Sequence, residues 1–323
     1  MEVFKIKNNK VDSVELKPFK LEKDIQSLVE NNTESFFELE FVCSEFKLKE
    51  FRIDTLCFDN ENNSFVIIEY KKGSSYSVID QGYSYLSMML NNKSDFIIEY
   101  NEKLNRSLKR NDIDWSQSKI IFVSPSFNSY QRNSVNFADI PFELWEIKRF
   151  SNDTVVLNQQ IAKSKESIKS VAEKNNNIIK NVNKEVKVYT VEDLLKNSTA
   201  KVKGIWDKIS TKLESLELEE TKSNVTKYYK RLTTENNIAI SYFHIKKDRI
   251  IVGIVGGSYK KGGVKSKNFF VPDDFKNLLE KKERTWSHDN GGMISYSYEF
   301  FDDKNIGYIL DLVNAKYEFL QNK

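Results

Sequence analysis

Asp54 and Glu69 lie fifteen positions apart, and Lys71 follows two further on. Two carboxylates and a lysine are the residue types that metal-assisted phosphodiester hydrolysis needs. The carboxylates hold a divalent cation that keeps several of its waters. The lysine orients or helps to deprotonate the attacking water and stabilises charge developing in the transition state. The surrounding residues read as two strands. Phe51 to Phe58 alternates like a half-buried strand, Asp59 to Asn63 is a polar turn, and Ser64 to Lys71 is a second, strongly apolar strand. The resulting hairpin carries Asp54 on one arm and Glu69 with Lys71 on the other. Alternation puts Glu69 and Lys71 on one face and Tyr70 on the opposite one. Charged groups late in an apolar strand are costly to bury unless paired or metal-bound, so their convergence marks a site. Asp54 and Glu69 are the expected ligands of Mg²⁺ (or Mn²⁺), with the Tyr70 backbone carbonyl completing the protein's share.

Arg52-Ile53-Asp54 on one strand and Ile68-Glu69-Tyr70-Lys71-Lys72-Gly73 on the next resemble the PD-(D/E)xK nuclease superfamily, in particular its NucS-like and restriction-type endonuclease branch. The resemblance covers roughly residues 20–125. It implies a catalytic set of Glu22, Asp54, Glu69, Lys71 and Gln81. Glu22 stands on the helix ahead of the Asp54 strand, and Gln81 with Tyr85 stands one helical turn apart on the helix after Lys71. Arg52 and Tyr85 are implied as nucleic-acid contacts. The chain departs from the family where Arg-Ile-Asp replaces Pro-Asp and where Tyr70 replaces the commoner Leu. Glu38 and Glu40 compete with Glu22 for its role. A first-turn carboxylate interacting with the helix dipole is the plain alternative for Glu22 itself.

Placing these residues requires an ordered set of elements. Helical spacing covers Leu21 to Asn31, and Phe36 to Phe46 reads as a strand ahead of the Asp54 hairpin. A helix is expected from Ser77 to Leu90. Strands are expected at Asp95 to Tyr100 and Lys119 to Ser124, with a closing hairpin of Phe142–Phe150 and Thr154–Leu157. The expectation is an α/β, restriction-endonuclease-like domain over 1–160, with a mixed central sheet flanked by helices. Residues 161–190, rich in Lys and Asn, read as a linker or connecting helix. Residues 191–323 read as a smaller α+β domain that binds substrate or a partner. Its helices are expected at Val191–Leu195, Val202–Leu218, from Pro272 to Lys282, and at Asn305–Leu320. Strands are expected at Val225–Leu232, Ile238–His244, Arg249–Val255 and Met293–Phe300. Trp286-Ser287-His288, Ser295 to Tyr298 and Ile309 to Val313 resemble, faintly, a domain of unknown function appended to such nucleases.

Composition narrows the class. A hydrophobic share of 39% supports real cores, yet no apolar run approaches the ~20 residues of a membrane span. The N-terminal residues lack the apolar core of a secretory signal. Two cysteines, Cys43 and Cys57, exclude a cysteine-rich zinc site and fit a reducing, cytoplasmic setting. The net charge of +3 is uneven: 20 basic and 25 acidic residues stand in 1–160, and 30 and 22 beyond. The second half is therefore the expected handle for a polyanion. Lys260, Lys261 and Lys265 stand in a glycine-rich loop read as a plain turn or a contact to a nucleic-acid backbone. That loop is no phosphate-binding P-loop, because Gly263 stands where a lysine is required. His244 and His288 read as structural.

The expected function is a Mg²⁺-dependent nuclease acting on DNA, with a defence or restriction-like role by resemblance. The expected partner is nucleic acid, with a homodimer allowed and no membrane. The alternative is a catalytically silent nucleic-acid-binding module or interaction scaffold that keeps the nuclease fold.

Overall fold

The computed structural model describes residues 2–60, 62–72, 77–161, 164, 166–168, 177–218, 221–234, 238–259, 263, 265–285 and 292–322. The chain divides into two units, residues 1–188 and 189–323.

The first unit opens with a hairpin, β1 (Val3–Lys7) and β2 (Lys10–Val14), which the sequence reading did not anticipate. There follow α1 (Glu22–Glu30), α2 (Thr33–Phe37), β3 (Glu40–Leu48), β4 (Phe51–Asp59), β5 (Ser64–Tyr70), α3 (Val78–Asn91), α4 (Lys93–Leu104), β6 (Lys119–Ser124), α5 (Ser129–Ser134), β7 (Phe142–Arg149), β8 (Val155–Gln160) and α6 (Asn177–Glu185). Among the described residues β3 to β8 form a six-stranded sheet in chain order. The β5–β6 and β6–β7 pairs are parallel and the others antiparallel. This is the mixed central sheet expected from the sequence, flanked by helices.

Alternation along β5 sorts the core into two layers. Phe65 and Ile67 join Val78, Tyr83, Leu86 and Met89 of α3 in one apolar cluster. Val66, Ile68 and Tyr70 join Ile25 and Val29 of α1 in the other. Fully burying such a side chain contributes roughly 1.5–3 kcal/mol, so both helix docks are firmly held. Gly82 brings α3 close to the sheet, because a Cβ there would meet the Phe142 ring at 2.6 Å.

Two expectations in this unit change. Asp95 to Tyr100 is helical, not a strand: Phe96 and Tyr100 are buried, whereas Ile98 is 54% exposed. A strand would have put all three on one face; a helix puts only the first and third there. The strand expected from Phe36 begins at Glu40, after the short α2 and a left-handed Glu38 (φ 57°). Within the stretch read as a linker or connecting helix lies α6. Its Ile179 and Val182, with Val186 beyond it, lie in the α3-side core, and the Tyr83 hydroxyl donates to Asn183 Oδ1 at 3.2 Å.

The second unit holds α7 (Val191–Leu195), α8 (Ala200–Ser215), β9 (Thr221–Val225), β10 (Lys230–Thr234), β11 (Ala239–Ile245), β12 (Ile250–Tyr259), β13 (Glu280–Thr285), β14 (Gly292–Phe300) and α9 (Ile306–Gln321). The strands pair antiparallel in the order β13-β14-β12-β11-β10-β9. Val202, Ile205, Trp206 and Ile209 of α8 and Ile309, Leu310 and Val313 of α9 cover one sheet face, packed with Phe243, Val252 and Ile254. This is the α+β arrangement anticipated. The strand expected over Val225–Leu232 is split, because Thr226 reverses the chain by accepting the Tyr228 and Tyr229 N–H groups. No helix follows Pro272. The Asp274 carboxylate takes the Leu279 N–H at 2.7 Å and the Tyr308 hydroxyl at 2.7 Å, and the polar run from Glu280 pairs instead as the edge strand β13.

Candidate active site

The β4–β5 ladder runs from Asp59↔Ser64 to Thr55↔Ile68. One step further, Asp54 stands across from Glu69, and the pairing changes hands. The Tyr70 N–H donates to Asp54 Oδ2 at 3.0 Å, so a side-chain carboxylate takes the place of the next backbone acceptor. The strands part there, and the opening is lined by the α3-side face of the sheet. Glu69 shares that face with Phe65 and Ile67, as period-two alternation requires.

Glu69 is 4% exposed and Lys71 8%. Glu69 Oε1 accepts from Lys71 Nζ at 2.8 Å and from Gln81 Nε2 at 2.8 Å. Gln81 sits in the first turn of α3, which Ser77 caps by accepting the Asp80 N–H. Glu69 Oε2 is buried without a hydrogen-bond partner. An unsatisfied buried carboxylate oxygen is expensive, of order 1–3 kcal/mol or more, and in a native protein calls for an explanation. Burial pushes the Glu69 carboxyl up to about 7, and the Asp54 charge adds to the effect against Lys71 and Gln81. Burial also raises Asp54, partly offset by the Tyr70 N–H and Lys71, while Glu45 and Glu22 push it further up. Two carboxylates thus share one ammonium in a desolvated pocket.

Glu22 opens α1 and reaches the same strand end, where its Oε1 accepts the Lys72 N–H at 2.8 Å. Of its rivals, Glu40 is committed elsewhere, to Arg106 at 2.6 Å, and Glu38 is the left-handed residue closing α2. Tyr85 is 8% exposed; its hydroxyl donates to the Arg52 carbonyl at 3.1 Å and accepts from Gln81 at 3.3 Å. Tyr85 is a wall of the site, and its ring is buried against Phe51 rather than offered to a base. Arg52 is exposed and ion-paired with Glu45. The structure therefore brings Glu22, Asp54, Glu69, Tyr70, Lys71, Gln81 and Tyr85 to one strand end. Lys265 belongs to the second unit, where its ammonium lies 4.5 Å from the Phe269 ring centre. Lys260, Lys261 and Trp286 to His288 lie outside the described residues.

The donor set can be tested against a divalent cation. Among the described residues no group of three or more His, Cys, Asp or Glu side chains is arranged to enclose a metal. Mg²⁺ does not need one: it binds through one or two carboxylates and keeps several waters. The unpartnered Glu69 oxygen, its proximity to Asp54 and the excess of carboxylate over ammonium fit such an ion.

The sequence reading missed Gln26. It is 5% exposed, and its Nε2 donates to the Asp54 carbonyl at 3.0 Å. The signal was present in the i, i+4, i+8 series Glu22, Gln26, Glu30, a polar stripe beside the apolar face of α1.

Fold and site together define a two-unit α/β protein whose first unit buries an Asp–Glu–Lys cluster where two strands of a mixed sheet part. The chain belongs to the same family as an uncharacterized protein of Haemophilus influenzae, with which it is 38% identical over 314 residues, 97% of this chain and 98% of that one. No family model matches. Two solved structures show partial likeness. One is described as an EndoMS–dsDNA complex (17% identity, TM-score 0.27), aligned over 41% of this chain and 47% of that one. The other is a repair endonuclease from Pyrococcus abyssi (16% identity, TM-score 0.21), aligned over 36% and 43%. In both, the aligned part is less than half of the solved chain.

Proposed function

We propose that the protein is a divalent-metal-dependent nuclease that hydrolyses phosphodiester bonds in DNA. The observation that carries this reading is the cluster of half-buried Asp54 with buried Glu69 and Lys71, in which one Glu69 oxygen is held by Lys71 and Gln81 and the other is left without a partner. Asp54, Glu69 and the Tyr70 carbonyl would hold Mg²⁺ or Mn²⁺. The ion would supply charge neutralisation and a water of lowered pKa. Gln81 and Lys71 fix Glu69 Oε1, so Oε2 is the Glu69 oxygen that would bind a cation. Lys71 Nζ, a proton donor 2.8 Å from Glu69, can also donate to a phosphate oxygen as negative charge builds there. Glu22, held by the Lys72 N–H, would orient a water at the rim.

The same sheet face offers a path for the substrate. Beyond Lys71 the cross-strand row continues through Ser124, Glu146 and Asn158. It ends in a cavity of about 290 Å³ lined by Arg132, Glu146, Lys148, Val156, Asn158 and Gln160. The cations and amides there suit a nucleic-acid strand running from the site toward β8. The positive excess of the second unit, and a cytoplasmic setting in keeping with unpaired Cys43 and Cys57, complete the reading. Among the described residues no helix is long and apolar enough to cross a membrane.

The test is incubation of the purified protein with single- and double-stranded DNA and RNA in Mg²⁺, Mn²⁺ or EDTA, beside Asp54→Asn. Metal-dependent cleavage lost in the variant supports the reading. Nucleic-acid binding without cleavage under any metal makes the chain a silent binding module.

A further inference from the structure

The residues that follow the two carboxylates in sequence, Thr55 after Asp54 and Tyr70 after Glu69, point to the opposite face of the sheet and meet there. Thr55 is fully buried, Tyr70 is 1% exposed, and Thr55 Oγ1 lies 3.0 Å from the Tyr70 hydroxyl. The direction of this bond is fixed by the next one. Thr55 Oγ1 donates to Glu30 Oε1 at 2.6 Å, and a threonine has a single hydroxyl proton, so Tyr70 is the donor to Thr55. Burial holds the Tyr70 phenol protonated by pushing its pKa upward, in keeping with that role.

Glu30 Oε1 also accepts from Gln26 Nε2 at 2.9 Å, and the same amide reaches the Asp54 carbonyl at 3.0 Å. Gln26 and Glu30 stand on α1, the helix that carries Glu22 at its start. The chain Tyr70–Thr55–Glu30–Gln26–Asp54 therefore closes a loop behind the sheet. It ties β4, β5 and α1 together at the level where the β4–β5 ladder has ended and backbone pairing no longer sets the strand separation. Removing one member would leave buried polar groups unpaired in a low-dielectric setting, where such networks are rigid when satisfied and costly when broken.

We propose that this clasp on the far face of the sheet positions the carboxylates, with Tyr70 and Thr55 as positioning residues that set the Asp54–Glu69 separation and hold Glu22 in reach. The inference rests on the metal-dependent reading for its catalytic consequence, but its geometric content does not. Tyr70→Phe keeps the ring and removes only the donor; Thr55→Val keeps the shape and removes the relay; Thr55→Ser restores the hydroxyl.

The experiment has two readouts. In metal-free protein, amide hydrogen exchange at position 70 reports the N–H bond to Asp54 Oδ2 that spans the parted strands. In the second, Mn²⁺ affinity is measured by EPR on wild type, Asp54→Asn and the three variants, followed by kcat and KM. Tyr70→Phe and Thr55→Val are expected to speed that exchange and to weaken Mn²⁺ about tenfold, the scale found for outer partners of metal ligands. They should lower kcat with KM little changed, and Thr55→Ser should recover most of the loss. Unchanged exchange at position 70 in folded Tyr70→Phe overturns the clasp. If Thr55→Val fails to fold, Tyr70→Phe and Thr55→Ser still decide. Mn²⁺ binding that Asp54→Asn leaves intact sinks the metal reading instead, and the exchange rate at position 70 then judges the clasp alone.

Discussion

Among the described residues each unit has one buried lysine, Lys71 on the strand end after β5 and Lys316 on α9, and the two are accommodated by different means. Lys316, 1% exposed, donates to the Asn268 carbonyl at 2.7 Å and lies 5.3 and 5.2 Å from the Phe270 and Phe319 ring centres. This carbonyl and these two π-faces pin the 268–270 segment to α9. Lys71 faces two carboxylates whose own charges are held in reserve, one of them with an unpartnered oxygen. A cation held by a backbone carbonyl and ring faces serves the fold. A cation among mismatched anions is an arrangement that folding alone does not favour, since an apolar replacement would cost less.

That contrast can be broken by exchanging activity against stability. The largest effect expected is on catalysis: Lys71→Ala and Asp54→Asn should each lower cleavage by about 10³-fold, in the range typical of lost charge stabilisation. Both should keep a cooperative unfolding transition. Lys71→Ala should then be stabilised thermally by Mg²⁺ more than Asp54→Asn is, because it removes a competitor of the cation and not a ligand. Equal cleavage by variants and wild type would remove the site from the reading.

A second effect is on the pH dependence of stability. With its carboxyl raised to about 7 from an ordinary 4.5, folded Glu69 keeps a proton that the unfolded chain has released. Between those values the native state binds more protons, so stability falls as pH rises through this window and is fully present below it. The loss is up to about 3 kcal/mol. Urea unfolding of metal-free protein at pH 5 and pH 8 should show it, and Glu69→Gln should flatten the difference. A steeper dependence in Glu69→Gln would contradict the assignment.

Lys316→Met should act in the opposite sense to Lys71→Ala. It should destabilise the second unit by about 2 kcal/mol, the scale of an unsatisfied buried acceptor plus a lost cation–π contact. Specific activity of the folded fraction should not change. The smallest effect concerns the cavity at the β7–β8 edge. Arg132→Gln with Lys148→Gln should reduce the salt slope of DNA binding by about one or two counterions while metal affinity stays constant. An unchanged slope would move the substrate path elsewhere.

Much of this was written locally. The apolar run Phe65–Ile68 and the alternation of Phe51–Phe58 determined a hairpin, and strand parity alone determined that Glu69 and Lys71 share a face. Helical spacing placed α1, α3 and α9, because their apolar stripes repeat at the helical period without interruption. Asp95–Tyr100 misled because its four apolar or β-prone residues, Phe96, Ile97, Ile98 and Tyr100, fit both periods, and only the exposure of Ile98 separates them. The 161–190 stretch left linker and connecting helix both open for a related reason: Ile179 and Val182 are sparse in a polar segment, and only packing on the α3 side of the sheet makes them core residues. Tertiary structure alone decided three further things: that the β4–β5 ladder stops at Thr55, that Asp54 then accepts the Tyr70 N–H, and that Gln26, Glu30, Thr55 and Tyr70 close a polar loop behind the sheet. Those are contacts between residues up to 28 positions apart, and their energies depend on burial and on which hydrogen-bond acceptors remain unpaired. Neither quantity has a period or a spacing by which a sequence can announce it.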